Sequence, residues 1–474
     1  MKSNHCILVC VSLLTCVIVG CDSVTDQETF GMTNRDYNFI PDNTDANQQL
    51  ILLPHLSEDS TVSDYLTYAA LNNAGLWAAF NDWKAALEQV PQVKSLPDPK
   101  FNYRYFIEQV ETRVGAQKQS FGITQMFPWF DKLKLRADSA ADAADAQRQR
   151  YQAVKLKVFF EVKHIYYEYY YLGRAVSIVE ENIQLMKNFE SVTRTRYKAA
   201  LGTASDLIRA QVELGKLEDR VKSLKDLQGP VTARLNAALN RPAEAALARP
   251  RQIEDESVLF TDRELLDSLA GSNPHLAAIQ SEIAEDKAGI ALARKEYFPD
   301  ITLGVDFIDT ADSISAVGPR DSGQDALIAM FSVNLPVWRE KLDAGLRQAR
   351  NKYQATLRKK TQELNTLNAQ LKLATYSFRD AERKINLYRD TLLPKAIESV
   401  KTNEASFRAG QNTLLDLIDA QRVMLEFELA YERALSNKAQ HLAELEMLVG
   451  KEIPRTAEAD FGKDVSEPKG NFNN

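Results

Sequence analysis

Long stretches with helical periodicity dominate the pattern of apolar and polar positions along this chain. Between Trp129 and Gln228 there is no proline and there are three glycines. After Gly202, apolar residues recur at spacings of three and four, which is the seam of a packed helix and requires a neighbouring helix to bury it. The pattern predicts helices over 131–200 and 204–240, and the predicted seam of the second one consists of Leu207, Ala210, Leu214, Leu217, Val221 and Leu224.

The second half of the chain follows the same plan. Helices are predicted over 339–409 and 413–449. Pro394 interrupts the first of these, and because proline lacks an amide hydrogen we expect a kink or a helix boundary there. The predicted seam of the last helix consists of Leu417, Ala420, Met424, Phe427, Tyr431 and Ala434.

A period of two precedes each long helix, which predicts two β-hairpins, at about 100–127 and 300–336. Polar loops are expected at 108–117 and 309–325. Strands of about eight to ten residues are long enough to cross a bilayer when tilted. Four strands cannot close a membrane barrel, and an open edge in lipid leaves backbone groups unpaired, so the pattern predicts an oligomer. The alternative is a helical scaffold with two surface hairpins.

The two halves form an internal repeat. Thr203, Asp206, Leu207, Ile208, Ala210 and Gln211 recur 210 positions later, and weaker echoes recur at displacements of 200, 202 and 208. A duplication of this length builds one architecture from two similar halves. The predicted boundaries are 64–240 for the first repeat, 241–272 for a connector, 273–450 for the second repeat and 451–474 for a polar tail.

The N-terminal segment predicts export. An apolar run over 7–20 has the length of a signal-peptide core, and all four cysteines occur at or before Cys21. The residues ending in Cys21 resemble a bacterial lipobox, which implies a signal peptide over 1–20, acylation of Cys21 and a lipidated tether over 21–63. The alternative is an ordinary cleaved signal or an uncut anchor.

Composition and motifs exclude several classes of function. The formal net charge of −7 and the pI near 5.5 argue against a nucleic-acid partner. The five histidines are scattered, and no common catalytic, metal-binding or phosphate-binding motif occurs. We therefore expect neither enzymatic activity, nor a metal, nor any cofactor beyond a covalent lipid on Cys21.

Four motifs together resemble the TolC-like outer-membrane efflux family, lipoprotein branch. They are the segments 273–276, 335–338, 393–394 and 410–421. The resemblance implies a mainly α fold with a small β part. Long antiparallel helical hairpins would form a trimeric periplasmic tube, and four strands per chain would contribute to a twelve-stranded outer-membrane β-barrel.

The same resemblance implies a function and partners. The chain would be the passive exit duct of a tripartite efflux system in the outer membrane, lipid-anchored and extending into the periplasm. Its partners would be two further copies, a periplasmic adaptor protein, an inner-membrane pump and outer-membrane lipid. The alternatives are a type I secretion duct and a structural periplasmic lipoprotein.

The resemblance also implies a gate. In the family, acidic residues at the positions of Asp416 and Asp419 line the periplasmic entrance. Asp416 has a second interpretation, because Thr413 and Asp416, like Thr203 and Asp206, fit a helix-capping motif. Asp419 lacks that interpretation, and its counterpart in the first repeat is Arg209.

Family gates are held by polar links that use an aromatic residue at the position of Phe407 and sometimes a cation at that of Asn412. Phe407 lacks a hydroxyl group and Asn412 lacks a charge. We therefore expect other links at the gate, formed by Asp206, Arg209 and Arg408.

Overall fold

A computed structural model describes residues 53, 55–57, 59–250, 253, 258–315 and 319–455. The chain divides into two compact units, Met1–Pro54 and His55–Asn474. All elements given below belong to the second unit. The predicted signal peptide, Cys21, most of the predicted tether and residues 456–474 of the predicted tail lie outside the described residues.

Among its described residues, the first half contains four helices and one hairpin. Helices α1 and α2 precede the hairpin strands β1 and β2, and the long helices α3 and α4 follow them. The bounds are α1 Val62–Asn72, α2 Ala74–Lys94, β1 Lys100–Thr112, β2 Gly115–Phe127, α3 Lys132–Lys198 and α4 Ala204–Ala238.

The second half repeats this order with one interruption. The bounds are α5 Asp262–Ser272, α6 Pro274–Lys295, β3 Ile301–Thr310, β4 Ala326–Val333, α7 Arg339–Leu387, α8 Leu393–Arg408 and α9 Leu414–Val449. A π-helical turn, Tyr388–Leu392, separates α7 from α8. Pro394 lies in the first turn of α8, where its missing amide hydrogen costs no helical hydrogen bond. The helix boundary expected at Pro394 is therefore present, and it takes the form of the π-helical turn directly before α8.

The four predicted strands form one antiparallel sheet in the order β1-β2-β3-β4. Strand β1 is longer than expected, because the predicted loop over 108–117 contracts to a turn at Arg113 and Val114. A register shift between Tyr105 and Val110 accommodates the extension. The outer edges of β1 and β4 have no partner strand among the described residues.

Helix α3 contains 67 residues without interruption, so it is roughly 100 Å long at ~1.5 Å per residue. It packs against α2, α4, α6 and α9 along this length. The fold is mainly α with a small β part, as predicted. Within the described part of the chain, no helix is both long enough and apolar enough to span a membrane.

The two predicted seams differ in burial. On α4, Ala210 and Leu217 are buried, and Leu214, Val221 and Leu224 pack against the same core. On α9, the predicted positions are mostly half-buried, and the buried stripe instead contains Ile418, Leu425 and Leu429. Helix α9 differs because it contacts α3 on one side and α7 and the π turn on the other, where Phe427 meets Tyr388 at 5.7 Å.

The repeat is longer than the echoes in the sequence indicate. Helix α5 lies in the segment predicted as a connector, and it is the counterpart of α1 at a displacement of 200. Both helices begin with a capping box, formed by Thr61 with Asp64 and by Thr261 with Glu264. Each half therefore begins one helix earlier than the echo at Asn73 and Asn273.

The two asparagines anchor the repeats. Asn73 Oδ1 accepts from Leu76 N at 2.9 Å, and its Nδ2 donates to Ala238 O at 2.8 Å. Asn273 makes the same pair of bonds, to Leu276 N at 3.1 Å and to Leu448 O at 2.8 Å. One side chain thus begins α2 or α6 and holds it against the end of α4 or α9.

Candidate functional site

The candidate site lies where each helical hairpin reverses direction, between α3 and α4 and between α8 and α9. The two turns are alike. Leu201 N donates to Arg196 O at 2.8 Å, and Gln411 N donates to Ser406 O at 2.9 Å, 210 positions later. Ala200 and Gly410 occupy the left-handed region, with φ of 58° and 77°. Such a φ is natural for glycine and costs alanine about 1–2 kcal/mol.

Asp416 caps helix α9. Thr413 Oγ1 accepts from Asp416 N at 3.3 Å, and Asp416 Oδ2 accepts from Thr413 N at 3.1 Å. Hydrogen bonds from the Thr413 hydroxyl and amide lower the pKa of Asp416, which therefore stays charged at neutral pH. The capping interpretation is confirmed for Asp416, whose side chain is also exposed to solvent.

Asp206 occupies the same position on α4. Its amide donates to Thr203 Oγ1 at 3.1 Å, and its carboxylate accepts from the Thr203 hydroxyl at 2.6 Å. Arg209 and Asp419 lie one turn further along their helices, and both are exposed. Asp416 and Asp419 thus form an exposed acidic pair at the start of α9, and α4 carries an arginine at the second position.

The remaining predicted gate residues make contacts within their own hairpin or through the backbone. Arg408 pairs with Glu404 one turn earlier in α8. Asn412 donates to Asn403 Oδ1 at 2.9 Å. Phe407 is buried. In the described part of this single chain, no hydrogen bond or ion pair joins Asp206, Arg209, Arg408 or Asn412 to the opposite hairpin, so the role expected of them as links stays a prediction.

One link that the sequence analysis missed joins the ends of α3 and α8. The Arg196 guanidinium lies over the Phe407 ring, 4.9 Å from its centroid, and donates to Phe407 O. A cation at the C-terminal end of a helix satisfies a free carbonyl and interacts favourably with the helix dipole. Phe407 therefore takes part in a link between α3 and α8, through a cation–π contact with Arg196 rather than through a hydroxyl hydrogen bond.

A second missed link joins α4 to α9. Arg422 Nε donates to Glu213 Oε1 at 2.9 Å, and Arg422 Nη2 contacts the other carboxylate oxygen. Lys216 Nζ approaches the same carboxylate at 3.5 Å. Glu213 is only 7% exposed, and a bidentate arginine–carboxylate pair is both strong and geometrically specific. We call Glu213 and Arg422 the inter-hairpin clasp.

The repeat contains a signal for this clasp. At the displacement of 210, Val212 and Glu213 align with Arg422 and Val423, so each repeat replaces the other's charged residue with valine. Positions where one repeat has a charged residue and the other has valine are therefore the sequence signal for this clasp.

A buried polar cluster lies beside the clasp. Gln421 Nε2 donates to Asn182 Oδ1 at 2.6 Å, and Asn182 Nδ2 donates to Glu428 Oε2 at 3.3 Å. Burial raises the pKa of Glu428. Gln421 Oε1 has no hydrogen-bond partner among the described residues. These contacts fix the register of α9 against α3.

Comparisons with known proteins show which family part of the chain resembles. The model of the outer membrane efflux protein family matches residues 265–451. The cobalt-zinc-cadmium resistance protein CzcC of Cupriavidus metallidurans is 22% identical, over 82% of this chain and 90% of that protein. The chain therefore resembles the outer membrane efflux protein family over its second repeat.

Solved structures show the same fold. The outer membrane protein VceC from Vibrio cholerae matches this chain with a TM-score of 0.67 and 17% identity, over 83% of this chain and 97% of that one. The MtrE outer membrane channel of Neisseria gonorrhoeae, described in its open state, matches with a TM-score of 0.67 and 17% identity, over 87% and 98% of the two chains.

The clasp between Glu213 and Arg422 is expected to weaken in acid. Hydrogen bonding to Arg422 lowers the pKa of Glu213 against the opposing effect of burial, and Arg422 and Lys216 are the cations that face the carboxylate. A lowered pKa means that the clasp is intact above the ordinary carboxyl range, about pH 4.3, and is lost as the pH falls through the lowered value. Because the clasp holds α4 against α9 near the ends of the hairpins, single-channel conductance should be constant from pH 7 to about 4.3 and increase below that.

The control for this pH dependence is Glu213→Gln, which removes the titrating group. The acid increase in conductance should be absent in that variant. An increase of the same size in the variant would show that another carboxyl group is responsible.

Proposed function

We propose that three copies of this chain form a passive exit duct through the outer membrane, the outer component of a tripartite efflux system. The observation that carries the proposal is the open four-stranded sheet, whose two outer strands, β1 and β4, have unpaired edges and exposed apolar side chains. Exposed edges cannot persist in lipid, because their backbone groups would lack hydrogen-bond partners. Three such sheets side by side would close on themselves with twelve strands.

The long helices support the same assembly. Helices α3 and α4 and helices α7 to α9 form two hairpins that continue away from the sheet. Helix α3 packs against α4 and α9, and α9 packs against α7 and α8, side by side as the wall of a tube requires. Members of this family are channel proteins of the outer membrane rather than enzymes.

We also assign the partners by family. Relatives are components of tripartite efflux systems and form trimeric channels. We propose that this chain binds a periplasmic adaptor protein and receives its substrates from an inner-membrane pump. Acylation of Cys21 is part of the proposal and depends on the sequence alone.

The experiment that tests this function uses the purified full-length protein in detergent and in planar lipid bilayers. We expect chemical cross-linking to stop at a trimer and the trimer to conduct ions. A protein that stays monomeric in outer-membrane fractions and gives no conductance would instead support the structural lipoprotein.

The acidic pair at the start of α9 makes a prediction about this conductance. Three copies would place three Asp419 carboxylates around the entrance, where a ring of negative charge favours cations. Asp419→Ala should lower the preference for cations over anions several-fold, measured as the reversal potential in a salt gradient. Asp206→Ala is the matched control, because Asp206 mainly caps α4. Equal, unchanged selectivity in both variants would refute the gate assignment.

A further inference from the structure

The two repeats of one chain meet at a seam that the structure describes in full. Strand β2 pairs with β3 in an antiparallel register that includes Phe121 opposite Phe307 and Ile123 opposite Val305. Below the strands, the Trp129 and Phe298 rings stack at 5.4 Å. This internal seam is one repeat docked against the next.

Lys132 lies at the centre of the internal seam, and its side chain is 1% exposed. Its Nζ lies 2.9 Å from Asp300 Oδ1 and 3.5 Å from Glu296 Oε2. One ammonium group is thus held between two carboxylates where the hairpins join the helices. Asp300 Oδ1 also accepts from Trp129 N at 2.8 Å, which ties the carboxylate to the exit of β2.

The hairpins themselves establish how the two repeats align. A displacement of 202 for the first strand and 208 for the second converts the six pairs from Lys100–Thr124 to Tyr105–Gln119 into pairs of the second hairpin. The three pairs of the first hairpin beyond its register shift have no counterpart among the pairs of the second. The examples are Asn102–Gly122 with Gly304–Met330, Tyr103–Phe121 with Val305–Ala329, and Tyr105–Gln119 with Phe307–Leu327. The same two displacements come from the Pro-containing echoes that flank the strands.

The same alignment, applied to the internal seam, gives the partner strand and the register for the free edges of β1 and β4. The pairs between β2 and β3 become pairs between β4 and the strand that would follow it, which is a β1. We infer that β4 pairs antiparallel with β1 of a second copy in one register, with Leu327, Ala329, Phe331 and Val333 opposite Ile107, Tyr105, Tyr103 and Phe101 of that copy. The inference rests on the proposed trimer and specifies its interface.

The exposed side chains agree with this register. Phe331 is 67% exposed and Tyr103 is 52% exposed in the single chain, although both are large and apolar. Cross-strand pairs between aromatic and β-branched or aliphatic residues are the stabilising unit of a sheet. A second copy is the fitting occupant because its free β1 edge supplies such residues at every opposing position.

The residues below the strands agree independently. The Trp129–Phe298 stack aligns with Val337 and Leu96, which are both exposed and apolar. In the seam between copies, an aliphatic contact would therefore replace the aromatic stack. It would join Val337, just before α7 of one copy, to Leu96, just after α2 of the next.

At the centre of the seam, the basic residue and one acidic residue change places between the repeats, and the number of charges of each sign stays the same. Lys132 aligns with Glu340, Glu296 with Lys94, and Asp300 with Asp98. The seam between copies would again hold one ammonium group, that of Lys94, between two carboxylates. In the single chain the Glu340 side chain is 84% exposed and pairs with Arg347, and Lys94 is exposed.

A cysteine cross-link tests the register directly, because the chain has no cysteine after Cys21. The full-length variant Phe331→Cys with Tyr103→Cys is oxidised in outer-membrane fractions and run on a non-reducing gel. The two positions lie on opposite edges of one sheet, three strand spacings or about 14 Å apart, so they cannot form a disulfide within one chain. We expect linked dimers and trimers.

The matched control shifts the register by two residues, with Phe331→Cys and Tyr105→Cys. Its cysteines would be diagonal neighbours at about 7–8 Å, too far for efficient disulfide formation. We expect at least fivefold less cross-linking. If the control links more, or if neither variant links while both still form conducting trimers, the register is refuted and the duct stands. Loss of trimer and conductance in the unmodified protein would refute the duct itself.

A charge exchange tests the lower part of the seam. Lys94→Glu should reduce the fraction of trimer that survives heating in detergent, because three carboxylates would then meet. Adding Glu340→Lys should restore it, since the double variant reproduces the residue types of the internal seam. A double variant no better than Lys94→Glu would refute the pairing.

Discussion

Asp300→Ala is expected to destabilise the protein by about 3–5 kcal/mol, the usual cost of leaving a buried charge without its partner. Lys132 is the residue left behind. Its side chain is 1% exposed, and Asp300 Oδ1 at 2.9 Å is its nearest partner. The remaining contacts, Glu296 Oε2 at 3.5 Å and Phe298 O at 3.2 Å, cannot replace that carboxylate.

The measurement is guanidinium chloride unfolding in detergent, followed by far-ultraviolet circular dichroism at one protein concentration. The matched control is Asp82→Ala, an exposed aspartate on α2 twelve residues before Lys94, which should change the free energy of unfolding by less than ~1 kcal/mol. Adding Lys132→Met to Asp300→Asn should recover most of the stability, because it removes the stranded charge and keeps an acceptor for Trp129 N. Equal losses in Asp300→Ala and Asp82→Ala would contradict the role of Lys132.

The strands and long helices could be predicted because periodicity is a local property of the sequence. Ile301, Leu303 and Val305 alternate with polar residues whether or not β2 lies beside them. The extension of β1 through 108–112 could not be predicted in this way. There the strand is held by backbone hydrogen bonds to β2, while its side chains no longer alternate.

In the candidate site, too, local features could be predicted from the sequence and contacts between distant residues could not. The cap of α9 was visible because Thr413 and Asp416 are three residues apart. The clasp was not, because Glu213 and Arg422 are 209 positions apart and neither residue is unusual in a polar helix. Lys132 was hidden for the same reason, since its burial arises only when β3 and α6 cover the start of α3.

Identities and differences between the repeats therefore carry different information. The shared residues Asn73 and Asn273 form caps, which each repeat must build for itself. Residues that differ, such as Lys132 against Glu340, lie where one repeat meets another. A contact inside the chain and the corresponding contact between copies have different neighbours, so selection can give them different chemistry.

The clasp joins two such differing positions, and breaking it is expected to open the entrance. Glu213→Gln keeps the shape of the side chain but leaves one neutral acceptor oxygen, so at most one of the two hydrogen bonds from Arg422 can form. A charged hydrogen bond contributes about 1.5–3 kcal/mol, which corresponds to roughly a tenfold or greater shift in the balance between joined and separated helices. The clasp lies about 12–14 Å along α4 and α9 from the start of each helix. Without it, these ends of the two helices can separate, and the mean single-channel conductance should rise several-fold.

The matched control for the clasp is Glu426→Gln. Glu426 pairs with Arg220 at 2.6 Å and so also joins α9 to α4, but both side chains are well exposed, at 60% and 40%. Exposed ion pairs contribute about 0–1 kcal/mol, because water competes for both partners. Conductance should therefore stay near that of the unmodified protein in Glu426→Gln and rise in Glu213→Gln. A similar rise in both would mean that any ionic link between these helices restrains the entrance, whereas no rise in Glu213→Gln would exclude the clasp as a gate element.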